Sequence, residues 1–440
     1  MSSIESNREV EQTMLDRAQG AMVGLALGDA LGTTLEFSPK DSYSPLNDMI
    51  GGGPFRLNAG EWTDDTSMML CLADSLLAKG GHDANDQMMR YSAWWKQGYN
   101  SVNGTCFDIG NTVVTALESF QCTKVANAGS TDEFTAGNGS LMRLAPIPIF
   151  YSLFRSATEQ EVIHAATSSS ITTHAERRAI EACQIMAWLL YRIFQNTTQT
   201  LSKDDLFTQL SNYWSAVDIH SDLLQIVQGS FLIKERKEIR GTGFVVHSIE
   251  AALWSFAHSN NFKEGALLAA NLGEDSDTTA AIYGQLAGAY YGHHQLPSDW
   301  LDKLAWHKHI KEQATMLSTV PSIKSIEEML ARVNGAVQQV KGDLLYQLLY
   351  EYDCILREYR WMDFCHRDLV STDLGASTSD GIYPKRQFLE NMSYLEGFQF
   401  ITAVVRGDRF CDGLWRNFTE DGSLQVWLEQ MATFVKNNNK

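Results

Sequence analysis

Glycine recurs at every fourth residue, 20, 24, 28 and 32, inside the otherwise apolar run DRAQGAMVGLALGDALG. On a helix, residues four apart share one face, so these glycines form a single bare stripe. Each costs up to about 1 kcal/mol of helix propensity relative to alanine. A helix here therefore needs a compensating contact, and close approach of a neighbouring helix supplies one, because contact side chains set the interaxial distance. A second stripe, Gly284, Gly288 and Gly292, lies in AAIYGQLAGAYYG. Two glycine-faced helices predict a tightly packed helical core.

Apolar residues at helical spacing continue over 65–78, 175–194, 245–257 and 344–362, while alternating strand-like runs are scarce. The expected fold is all-α, a compact multi-helix bundle with a helical C-terminal extension. The chain turns charged and polar after Trp306, which divides it into a domain over 1–305, a linker over 306–335 and an extension over 336–440. The extension holds Tyr346, Tyr350, Trp361, Phe398, Trp415 and Trp427 among its aromatics. These suit either a small core of their own or a protein interface.

Composition excludes several classes. With 44% hydrophobic and 10% aromatic residues, the 440-residue chain is not a disordered one. No apolar run approaches the ~18–20 residues of a membrane span, and MSSIESNREVEQ lacks the basic-then-apolar order of a signal peptide. The seven cysteines are widely spaced without a CxxC pair. That pattern indicates free thiols and a cytoplasmic location. A net charge of −18 argues against a broad basic surface for nucleic acid, though not against a local basic pocket.

Two carboxylate clusters carry the chemistry. Trp62-Thr63-Asp64-Asp65-Thr66 opens the first predicted helix after the stripe. One Asp there is an ordinary N-terminal residue, but four consecutive oxygen-bearing side chains suit a hard cation. The second cluster, Gly273-Glu274-Asp275-Ser276-Asp277-Thr278-Thr279, opens the second glycine-striped helix. It is no EF-hand, since the required Gly and Glu positions hold Ala280 and Leu286. Between the clusters, GNGSLMR (137–143) is a Gly-rich turn whose backbone N–H groups could cradle phosphate, with Arg143 supplying charge. No GxxxxGK[ST] motif and no strand-linked GxGxxG supports a nucleoside-triphosphate or dinucleotide fold. His174, Glu36, Asp108 and Phe244 are unremarkable singly.

Taken in order, GAMVGLALGDALGTTLEF, GEWTDDTSMML, CFDIGNT, GNGSLMRLAPIPI, TTHAERRAIEA, GTGFVVHSIEAALW and NLGEDSDTTAAIYGQLAGAYYG resemble the ADP-ribosylglycohydrolase family over about residues 17–305. The resemblance implies an all-α enzyme that releases ADP-ribose from a modified target, foremost arginine on protein. It implies two divalent cations, Mg²⁺ or Mn²⁺: Thr63, Asp64 and Asp65 serve one, Asp275 and Thr278 the other, and Asp277 bridges. It places Glu36 and Asp108 near the scissile bond and distal ribose as catalytic carboxylates. Asn138, Gly139, Ser140, Met142 and Arg143 match the loop around pyrophosphate and ribose, with His174 beside it and Phe244 against adenine. Glu274 and Ser276 depart from the residues expected there, without disturbing the ligand set. Two other readings stay open: an immunity protein opposing an ADP-ribosyltransferase toxin, by hydrolysis or by binding it, and a non-catalytic relative.

Overall fold

The computed structural model describes residues 2–196, 201–318 and 422–438. Helices account for the architecture: α1 (Ser2–Gly32), α2 (Asp64–Lys79), α3 (Ala84–Gln97), α4 (Asn111–Thr123), α5 (Pro146–Ile149), α6 (Glu159–Ser170), α7 (Arg177–Gln195) and α8 (Lys203–Trp214). They continue through α9 (Ser221–Val227), α10 (Ser230–Ile233), α11 (Val245–Ala257), α12 (Phe262–Ala270), α13 (Ser276–Tyr291), α14 (Ser298–Leu301), α15 (His307–Ser318) and α16 (Ser423–Asn438). Among the described residues no strand forms, and three isolated bridges pair Gly52 with Leu57, Ser130 with His174 and Gly137 with Phe244. The fold is all-α. No described helix is long and apolar enough to cross a membrane.

The chain divides into two compact units, Met1–Leu76 with Gly81–Thr319, and Leu77–Gly80 with Val320–Lys440. In the first unit the two glycine stripes face each other. A Cβ on Gly20 would fall on the Gly288 carbonyl, one on Gly24 on the Gly284 carbonyl, and one on Gly28 on that of Ala280. Gly32 likewise lies against Ser276 and Asp277. The helices thus run antiparallel with their backbones touching, and four residues forward on α1 correspond to four back on α13. Gly292 is the exception: it ends α13 in the left-handed region, φ 80°, as a C-cap. Around this pair pack α7, α11 and α12, burying Trp188, Phe194, Ile249 and Phe262.

The stretch expected to begin a linker is instead α15. It packs on α1 and buries Ile310, Ala314 and Leu317, while Gln313 donates to Asp74 Oδ1 at 2.7 Å. Polar residues dominate its sequence, yet the apolar ones recur at i, i+4 and i+7, one face of a helix. In the second unit, α16 buries Leu424, Trp427 and Leu428. The helix expected over 344–362 and the other extension aromatics lie outside the described residues.

Candidate active site

The site is assembled where both glycine-striped helices meet the start of α2. Asp29, one turn before the end of α1, is fully buried. Its Oδ1 accepts from the Thr63 amide and hydroxyl at 2.8 and 2.9 Å, and its Oδ2 from those of Thr66 at 3.0 and 2.6 Å. Four donors to one carboxylate clamp the first turn of α2 onto α1 and fix the direction of Asp64 and Asp65. Sequence reasoning passed over Asp29; the available signal was a lone carboxylate in a glycine-striped apolar helix.

Opposite stands the start of α13. Ser276 donates to the Gly32 carbonyl at 2.7 Å, which turns it away and leaves Asp275 and Asp277 for the site. Thr63 Oγ1 lies 3.2 Å from Asp277 Oδ2 and 3.4 Å from Asp65 Oδ2. Thr278 Oγ1 lies 3.3 Å from the same Asp65 oxygen. Oxygens of Asp29, Asp65 and Asp277 gather within 4.8 Å of one another, and so do those of Glu36, Asp108 and Asp277. Asp277 is common to both groups. Burial foremost, then mutual repulsion, pushes the carboxyls of Asp64, Asp65 and Asp277 well above the usual range. The same causes raise Glu36 to about 10, and burial raises Asp108 to about 7.

Asp65 Oδ1, Asp277 Oδ1 and Glu36 Oε2 are buried without a hydrogen-bond partner. Buried carboxylate oxygens left in that state are costly unless a cation joins them. An all-oxygen donor set of carboxylates and hydroxyls fits a hard divalent ion. These residues therefore fit a metal centre, with Asp277 shared between its two halves.

Above the carboxylates opens a cavity of about 390 Å³, lined by Glu36, Asp64, Asp108, Asn138, Gly139, Met142, His174, Asp275 and Thr278. Nine sequence candidates from six segments thus meet in one cleft. Asn138 donates to Asp275 Oδ2 at 2.7 Å and to Ser248 Oγ at 2.9 Å, orienting Asp275. Gly139 is required: a Cβ there would sit 2.8 Å from His174 Cε1. Thr63, Asp65 and Asp277 lie beneath the lining. Gly110, Asn111, Thr112 and Val113 also line the cavity. They form the first turn of α4, which no side chain caps, so its N–H groups are available to an anion. The sequence singled out Asp108 in CFDIGNT but missed this helix end.

Three of the expected substrate-binding residues also lie outside the lining. Ser140 is buried, accepting from Ser170 Oγ at 2.8 Å. Phe244 is half-buried, its ring covered by the Arg178 guanidinium at 5.1 Å and met edge-on by His247. Arg143 is fully buried, stacked 4.5 Å from the Tyr91 ring centroid and donating to Thr173 Oγ1 at 2.7 Å. Thr173 Oγ1 also lies 2.9 Å from His174 Nδ1; when the hydroxyl gives its proton to that nitrogen, Nε2 carries the ring's proton. His174 Nε2 faces the glycine turn, 3.2 Å from where a Cβ on Gly137 or Gly139 would sit. Burial, reinforced by Arg143, lowers His174 to about 3 and keeps the ring neutral. Arg143 thus meets the cavity through His174 rather than directly.

A buried acidic centre joined to a cleft with an anion-ready helix end, on a bundle stapled by two glycine stripes, defines a class, and the chain belongs to it: the ADP-ribosylglycohydrolase family, a family of glycohydrolase enzymes, whose model matches residues 10–326. Among individual proteins, it is 44% identical over 317 residues to the ADP-ribosylarginine hydrolase Tri1 of Pseudomonas putida (strain GB-1), covering 72% of this chain and 82% of that one. It is 30% identical to the ADP-ribosyl-[dinitrogen reductase] glycohydrolase of Rhodospirillum rubrum, covering 66% and 90%. A solved "ADP-ribosylglycohydrolase-related protein complex" superposes with TM-score 0.60 at 39% identity, over 70% of this chain and 98% of that one. Residues 295–437 match a second model, a family of unknown function (DUF6508).

Proposed function

We propose that the protein hydrolyses the N-glycosidic bond between ADP-ribose and an arginine side chain on a modified protein. The observation that carries this is the pairing of partnerless buried carboxylate oxygens at Asp65, Asp277 and Glu36 with an anion-ready cleft directly above them. The Tri1 relatives are named ADP-ribosylarginine hydrolases, which supports arginine as the linkage. Two divalent cations, Mg²⁺ or Mn²⁺, would be held by Thr63, Asp64 and Asp65 on one side and Asp275 and Thr278 on the other, with Asp277 between. When bound they would orient the distal ribose and activate water by Lewis acidity.

The chain's own residues supply the rest. The open first turn of α4 and the His174 Nε2–H group bind phosphate and ribose oxygens, the role Arg143 was expected to fill. Asn138 holds Asp275 in place. A water oxygen attacks C1″ of the distal ribose, the C1″–N bond breaks with its electron pair going to the guanidine nitrogen, and Glu36 or Asp108 accepts the proton that water gives up. Ser140 and Phe244 support the loop and the α11 start rather than the ligand.

The test is release of ADP-ribose from ADP-ribosyl-arginine: turnover in Mg²⁺ or Mn²⁺, abolished by EDTA, is the expected result, and full turnover in excess EDTA overturns the metal centre. The described cysteines, Cys71, Cys106, Cys122 and Cys183, are free, which supports a cytoplasmic setting. There the physiological substrate is an ADP-ribosylated protein, including one modified by an ADP-ribosyltransferase toxin.

A further inference from the structure

Phe37 directly follows Glu36 and lines the same cavity, yet 67% of it is exposed. Its backbone lies in the left-handed region, φ 59°, a costly conformation for a bulky residue. Two hydrogen bonds impose it: the Phe37 amide donates to the Glu274 carbonyl at 2.7 Å, and the Glu274 amide to the Ser38 carbonyl at 2.8 Å. Glu274 is itself left-handed, φ 60°, and precedes Asp275. The fold thus spends strain on both strands of this contact and holds an apolar ring outward at the mouth of an acidic cleft.

The ring is not isolated. Phe55, carried by the tight turn that Gly52 and Leu57 close, meets Phe37 edge-on, centroids 6.3 Å apart at 73°. Phe107 lies 5.2 Å beyond Phe55 and directly precedes Asp108, another left-handed residue at φ 59°. Three chain segments therefore contribute to a row of rings, in which Phe37 lines the cavity and Phe55 and Phe107 back it. Core packing does not account for it, since Phe37 is exposed.

From this we infer that Phe37, backed by Phe55 and Phe107, is the platform on which the guanidinium of the modified arginine stacks. The inference rests on the arginine reading and deepens it by naming what recognises the leaving side of the bond. A cavity of about 390 Å³ has no room for a protein segment, so the arginine must leave past the carboxylates nearest the reacting bond. Phe37 is the first residue after Glu36 along that rim. A planar, weakly hydrated cation is the group that both an aromatic face and neighbouring carboxylates attract. The serine linkage, with no cation on its leaving side, would gain nothing from such a platform.

The experiment compares Phe37→Ala, Phe37→Leu and Phe37→Trp in the full chain loaded with Mg²⁺. It uses ADP-ribosyl-arginine as substrate and binding of free ADP-ribose by calorimetry as a second readout, with thermal melts confirming the fold. Phe37→Ala is expected to raise KM about tenfold, the scale of a partly desolvated cation–π contact, while ADP-ribose binds as in the parent. Phe37→Trp should restore KM, and Phe37→Leu, apolar but without a π face, should not. Unchanged kcat/KM in Phe37→Ala, full rescue by leucine, or loss of ADP-ribose affinity would each overturn the inference while the arginine reading stands. A parent protein that leaves ADP-ribosyl-arginine intact but releases ADP-ribose from a serine linkage overturns that reading, and the inference with it.

Discussion

Thr173 bridges the Arg143 guanidinium and the cavity-lining His174 ring, so its hydroxyl biases which nitrogen of His174 donates. Thr173→Val should weaken ADP-ribose binding by about tenfold, and because it takes an acceptor from the buried Arg143 guanidinium it should also lower the melting temperature; calorimetry and thermal melts check both. The proposed metal residues should behave oppositely. Asp65→Asn and Asp277→Asn each relieve a buried, partnerless carboxylate oxygen, so the metal-free variants should be as stable as the parent or more so. The same variants should lose turnover and the stabilisation that Mg²⁺ confers on the parent. A metal-free variant that is strongly destabilised would mark a structural carboxylate instead. That Asp64, Asp65, Asp275 and Asp277 form acidic clusters was legible in the sequence, because adjacent carboxylates among threonines are hard to explain as capping alone. Asp29 was not, since its role consists of hydrogen bonds to residues 34 and 37 positions away. The placement of Arg143 against Tyr91 was not legible for a related reason: a sequence shows a charge beside a glycine turn, but not which side of the turn it occupies.

Among the helices, the glycine stripes were readable from spacing alone, and α1 and α13 pack as that spacing requires. Gly24→Ala would place a methyl against the Gly284 carbonyl. Because backbone rather than a flexible side chain is struck, the cost should be about 3 kcal/mol or more, the upper range for overpacking, read as a lower urea midpoint. Gly52→Ala has open space and serves as the comparison, carrying only the strain of its left-handed φ of 91°. The α15 helix was not readable, because its polar composition resembled a linker and only Ile310, Ala314, Met316 and Leu317 supply its apolar face. A chain ending at Trp306 should therefore be less stable than one ending at Ser318. Exposing the pocket filled by Ile310 and Leu317 costs about 3–6 kcal/mol by apolar burial, and paired thermal melts of the two truncations measure it.

For the molecule as a whole, the acidic centre links stability to pH. Asp108, raised to about 7, and Glu36, raised to about 10, hold protons in the folded metal-free protein where the unfolded chain has already lost them. Their contribution is complete below about pH 4, near the unfolded values, and fades as pH rises through the folded ones. Metal-free protein should therefore lose melting temperature from about pH 5 to 8. Mg²⁺, by displacing those protons, should offset the loss, so the gap between melts with and without it should widen with pH. A constant gap would contradict the linkage. The all-α class and the cleft's membership were legible because they depend on local spacing and motif chemistry; the inner arrangement, which side chain faces ligand and which props its neighbour, exists only after folding.

The backbone-to-backbone seam of α1 and α13 has a consequence for how this site can change. Gly32 sits against Asp277 at one end of the seam, while Gly20 meets Gly288 at the other, about 18 Å away along the helix. Bare backbones interlock like the teeth of a rack, so the helices cannot creep past each other; they can only skip a full turn, about 5.4 Å. Such a skip would carry Asp277 out of reach of Asp65. The spacing of the two acidic clusters is thus quantised, and a side chain introduced at Gly20 disturbs it as surely as one introduced beside the carboxylates themselves.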